Sequence, residues 1–112
     1  MIAGCGGSAS SPAPTPTPTS VTVTITGSGA SPLSVQIAAG SRVLFINNDS
    51  RSHNMTSDPH PEHDACPEIN QVGFLSPGQR RETGNIVVAQ TCGFHDHDNP
   101  DVASLHGQIV IK

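Results

Sequence analysis

Residues 91–112 read TCGFHDHDNPDVASLHGQIVIK, and the reading of this stretch decides the fold. It ends in Gly107-Gln108-Ile109-Val110-Ile111-Lys112, a short run rich in β-branched residues that reads as a closing strand. It begins with a thiol and two imidazoles, Cys92, His95 and His97. Between them Asp98-Asn99-Pro100-Asp101 has the composition of a turn. Soft ligands therefore stand immediately before a final strand.

The chain upstream has the same character. Val21-Thr22-Val23-Thr24-Ile25-Thr26 alternates apolar and polar side chains with the period of a half-buried strand. Gly27 to Pro32 reads as a turn, and Leu33, Val35 and Ile37 resume the alternation. Ala39-Gly40-Ser41 turns again, and Arg42 to Ile46 is a more continuous apolar run, as in a core strand. Asn47-Asn48-Asp49-Ser50 breaks it. Residues 56–73 contain Pro59, Pro61 and Pro67 without a clear period, and read as a long irregular loop. Ser76-Pro77-Gly78 is a turn, Arg80-Arg81-Glu82 a solvated charged turn, and Asn85 to Gln90 a strand. No stretch has a helical period and no repeat is present. Short strands separated by turn signals predict an all-β sandwich or barrel.

The 112 residues suffice for one small domain. Five Lys and Arg against nine Asp and Glu give a net charge of −4, which cannot assemble the basic surface a nucleic-acid binder needs. No run approaches the ~20 apolar residues of a spanning helix. Met1-Ile2-Ala3-Gly4-Cys5 resembles the end of a bacterial lipoprotein signal, with Cys5 as the lipidated residue. Residues 6–20 carry Pro in alternation with Ala and Thr, which favours an extended tether. The expected organisation is a tether over 1–20 and a folded domain over 21–112. The expected location is extracytoplasmic, periplasmic or outer-surface, with the membrane touched only through a lipid on Cys5.

Six histidines occur, none before residue 53. His53 stands near Met55, His60 and His63 precede Cys66, His95 and His97 follow Cys92, and His106 lies near the last strand. Thiolate and imidazole together suit copper and zinc. The string His60-x₂-His63-x₂-Cys66 could hold its own ion or contribute to a larger site. Cys66 and Cys92 leave two outcomes open. Either Cys92 is a metal thiolate, or the two pair as a disulfide in an oxidising compartment. Ser50 and His53 near Asp49 and Asp58 do not make a hydrolase, since no Gly-x-Ser-x-Gly elbow accompanies them.

Phe45-Ile46-Asn47-Asn48-Asp49-Ser50-Arg51-Ser52-His53-Asn54 resembles the strand, Asn-rich turn and His-Asn of the cupredoxins, the plastocyanin and azurin type. Cys92-x₂-His95 and Cys92-x₄-His97 resemble the ligand loops of that family, and Leu105-His106-Gly107 resembles the Met-x-Gly that opens its last strand. The resemblance implies a small Greek-key β-sandwich with one mononuclear copper on His53, Cys92 and either His95 or His97. It implies an electron-transfer protein of the cell envelope, monomeric, with redox or copper-handling partners, and not an enzyme. Asn54 would help pin the Cys92 loop. Leu105 stands where the family places an axial Met, so a thiolate site would be nearly three-coordinate. The alternatives are a copper carrier with an imidazole-rich site and a structural sandwich stapled by Cys66 and Cys92.

Overall fold

Val23 and Ile25 are fully buried while Thr22 and Thr26 are exposed, so the alternation of the first segment becomes one inward and one outward face. The computed structural model describes residues 21–112; the lipid-anchor reading of Cys5 and the tether reading of residues 6–20 lie outside the described residues. Nine strands follow in order: β1 (Val21–Thr26), β2 (Gly29–Ser31), β3 (Ser34–Ile37), β4 (Val43–Asn47), β5 (His53–Ser57), β6 (Gly73–Leu75), β7 (Arg80–Glu82), β8 (Thr91–Asp96) and β9 (Gly107–Ile111). Two short 3-10 turns, Pro67–Gln71 and Ala103–Leu105, are the only helical pieces among the described residues.

The strands form two sheets, ordered β3-β9-β8-β5-β6 and β2-β1-β4-β7. β1 runs parallel to β4 with Val23 opposite Phe45, and β9 runs parallel to β3 with Ile109 opposite Val35. The inward faces meet in an apolar core. Phe45 of one sheet packs edge-on against Phe94 of the other, with ring centroids 5.1 Å apart. Ile25, Met55, Ile69, Leu75, Ile86 and Ile109 fill the space around them.

Several segments differ from their sequence reading, among them Gly29–Ser31, which pairs as β2 inside the expected turn, and Thr91–Asp96, which is strand β8 where a ligand loop was expected. Arg80–Glu82 is the edge strand β7, with Arg81 opposite Phe45. Its charges hide it from a hydrophobic-pattern search, and the same charges discourage further pairing at a sheet edge. Gly73–Leu75, inside the expected loop, pairs with β5 as β6. Asn85 to Gln90 contributes only an isolated bridge between Ile86 and Ser41. Val87 and Val88 lie exposed there, because β-branched residues favour a strand only where a pleated surface can half-bury them.

Candidate metal centre

Side chains of a strand alternate between its two faces, so residues three apart point opposite ways. On β8, Cys92 and Phe94 belong to the core, whereas His95 faces outward, across from Thr56 of β5. On β5, Met55 lies opposite Asp96 on the inner face and is fully buried. The expected ligand set His53, Cys92, His95 and His97 is thereby divided. His95 and His97 come near the outer-face histidines, while His53 and Cys92 do not.

Cys92 is joined to Cys66 by a disulfide, with the two Cα atoms 6.0 Å apart. Both cysteines lie in the core, and the Cys66 N–H donates to Ser57 Oγ at 2.8 Å. This is the second of the two outcomes that the cysteine pattern left open; a disulfide sulfur is no thiolate ligand. The string His60-x₂-His63-x₂-Cys66 likewise keeps its imidazoles and loses its thiol.

His53 is engaged at both ring nitrogens. Its Nδ1 lies 2.7 Å from Asp96 Oδ2 and its Nε2 2.8 Å from Asp49 Oδ2. Both ring nitrogens thus have a carboxylate partner. Asp96 is also the acceptor for the backbone N–H of Asn54 and of Asp98 and for the Asn99 amide. Burial alone would raise the Asp96 carboxyl, but the hydrogen bonds from His53, Asn99, Asn54 and Asp98 hold it below its ordinary value. The hydrogen bond from His53 lowers Asp49 against the opposing effect of burial, and the Ser50 N–H and Arg51 add to it. Asn54 pins this end of the sandwich through its backbone, its N–H reaching Asp96 and its carbonyl accepting from the His97 N–H at 2.7 Å.

The outer face carries a different group. The segment between β5 and the first 3-10 turn folds back over β8. The Asp58 N–H donates to the Gly93 carbonyl at 3.0 Å, and the Ala65 N–H returns to the Asp58 carbonyl at 3.0 Å. Within this loop His63 has φ +54°, the left-handed conformation that non-glycine residues seldom adopt. The Asn70 side chain holds its carbonyl at 2.7 Å. His60 and His63 are thus delivered beside His97.

His63 Nε2 lies 3.2 Å from His60 Nδ1 and 3.3 Å from His97 Nδ1, and the three nitrogens all fall within 4.8 Å of one another. Imidazole nitrogens bound tetrahedrally at ~2.0 Å are separated by about 3.3 Å. Two of the three edges already have that length. Burial, and then the neighbouring His95, His97 and His60 rings, hold the His63 imidazole below its ordinary 6.5, which favours the neutral form that ligates a metal. The group fits an imidazole-liganded ion.

Met55 is core, and Leu105 is buried in the second 3-10 turn. His106 stacks on His95 with centroids 5.6 Å apart and directs its Nε2 to the Pro100 carbonyl. Asp58, which the pattern offered only as part of a discarded triad, contacts His95 Nδ1.

No family model and no curated protein matches the sequence. Solved structures do. A purple cupredoxin from Nitrosopumilus maritimus is similar at 19% identity and TM-score 0.63, covering 82% of this chain and 99% of that one. Oxidised plastocyanin from Dryopteris crassirhizoma is similar at 19% identity and TM-score 0.62, over 82% and 100% of the two chains. The Cu(I) form of an amicyanin mutant is similar at 16% identity and TM-score 0.61, over 88% and 95%. At such identities the likeness is one of fold.

Proposed function

We propose that this domain of cupredoxin fold binds one copper ion through His60, His63 and His97, and that it carries or hands over the metal in the cell envelope. The observation that carries the reading is the convergence of the three ring nitrogens at 3.2 and 3.3 Å, the edge length of a tetrahedral imidazole site. Among divalent first-row metals such a nitrogen set favours Cu(II). The amicyanin of like fold is described in a Cu(I) form, which supports copper in particular. The Cys66–Cys92 disulfide supports an oxidising compartment. It also withdraws the thiolate on which a blue electron-transfer site depends, and so favours handling of the ion over electron transfer. Partners on this reading are other copper-handling or redox proteins of the envelope, met by a monomer.

The test is a Cu(II) titration of the metal-free protein, followed by absorption and electron paramagnetic resonance. One equivalent should bind with a weak visible band and nitrogen hyperfine coupling, and His63→Ala should abolish it. An intense blue band at one equivalent would overturn the assignment and restore Cys92 as a ligand. Reversible reduction of the bound ion without its release would move the reading to an electron carrier.

A further inference from the structure

His95 stands next to the three-nitrogen group and is fully buried. Its Nδ1 is 2.5 Å from Asp58 Oδ1. The nearest partner of its Nε2 is Thr56 Oγ1 at 3.5 Å, the outer limit of a hydrogen bond. A buried imidazole nitrogen so poorly satisfied carries a desolvation cost that a bound ion would remove.

The ring positions are specific. The His95 centroid lies 5.1 Å from that of His63 and 5.4 Å from that of His60. The separations His60–His63, His60–His97 and His63–His97 are 5.3, 5.2 and 4.9 Å. Four imidazoles bound tetrahedrally at ~2.0 Å have centroids a little over 3 Å from the metal, and so about 5.2 Å from each other. Five of the six separations scatter around that value; the His95 nitrogens stand outside the 4.8 Å group that His60, His63 and His97 form, so ligation by His95 requires the loop to close on the ion.

We propose that His95 closes the site as a fourth imidazole through Nε2, and that Asp58 is the positioning residue that fixes its ring. The inference rests on the reading of His60, His63 and His97 as copper ligands, and adds to it the coordination number and the class of cargo. A carboxylate on the far nitrogen of a ligating His sets its tautomer and raises its basicity. Gly93 makes this possible, because a Cβ there would run into the Asp58 carboxylate. Four nitrogens with no sulfur and no open position suit an ion held as closed cargo, and not an ion that works on a substrate.

The experiment uses the full chain loaded with Cu(II). The resonance spectrum should show four coupled nitrogens, falling to three in His95→Ala. Asp58→Ala should keep four and weaken Cu(II) affinity ~10–100-fold, with partial recovery in Asp58→Asn. Asp58 is partly exposed, so its variants test the proposal even where His95→Ala does not fold. An unchanged spectrum in folded His95→Ala, or unchanged affinity in Asp58→Ala, overturns the proposal. Where His63→Ala abolishes uptake and these variants change nothing, only the fourth ligand fails. Where His63→Ala itself leaves uptake intact, the three-histidine reading fails as well.

Discussion

Cys92 and His95 project to opposite faces of one sheet, the first bonded to Cys66 in the core and the second lying under the Asp58 loop. Freeing the Cys92 sulfur therefore does not bring it to the imidazoles. Cys66→Ala leaves a reduced Cys92, yet Cu(II) should still give only a weak visible band. Appearance of an intense sulfur-to-copper band would show that the two faces are not kept apart.

The Cys66–Cys92 cystine should contribute substantially to stability. The cystine closes a loop with a sequence separation of 26 residues, for which chain entropy gives about 3–4 kcal/mol. Guanidinium unfolding of the Cys66→Ser, Cys92→Ser protein should show a loss of that order. A loss below about 1 kcal/mol would mean the reduced chain stays ordered around the pair.

His53 offers a clean separation of fold from metal binding. Its replacement by Gln removes the donor that Asp49 and Asp96 share. Leaving the buried Asp96 carboxylate short of one hydrogen bond costs about 1–3 kcal/mol. Copper stoichiometry should be unchanged at a temperature where the variant is folded. Loss of copper with full stability would place His53 in the metal site.

The pH dependence follows from the same cluster. Asp49 and Asp96 titrate below their ordinary 3.8 in the folded protein. A carboxyl lowered by folding stabilises the native state fully above its unfolded value, and the contribution disappears as pH falls through the folded one. Stability should therefore be level in this respect above about pH 5 and drop steeply below about pH 4. Asp96→Asn should flatten that acid limb in urea titrations; an unchanged limb would remove the cluster as its source.

Phe94 joins the two sheets through its edge contact with Phe45. Phe94→Ala should cost about 3–5 kcal/mol, measured by thermal or denaturant unfolding. A loss near zero would mean the core collapses around the missing ring.

Much of the fold is legible in residue order. β1, β3, β4 and β9 follow from alternation of apolar side chains, and the turn residues between them mark their ends. β2, β6, β7 and β8 are not legible: Gly29-Ala30-Ser31 lies in a turn-like stretch, Gly73-Phe74-Leu75 is too short for a pattern, Arg80-Arg81-Glu82 is charged, and Thr91–Asp96 reads as a ligand loop. The site was half legible. His97, and His60 with His63, were visible as ligand types. Their meeting depends on the fold-back of residues 58–66 over β8, a long-range event that spacing does not encode. The separation of Cys92 from His95 does lie in the spacing, but only once both are known to sit on a strand instead of in a loop. Gly93 in mid-strand was a further signal, for glycine there often marks a close approach of another group.

None of the clustered imidazoles enters the core, which Phe45, Phe94, Ile25 and Ile109 complete by themselves. The sandwich accordingly needs no ion to hold its shape. Small domains that fold only around a metal come apart when the metal is scarce and fall to proteases. A chain that folds empty survives the shortage and, on the proposed reading, waits as an open receptor until the ion returns.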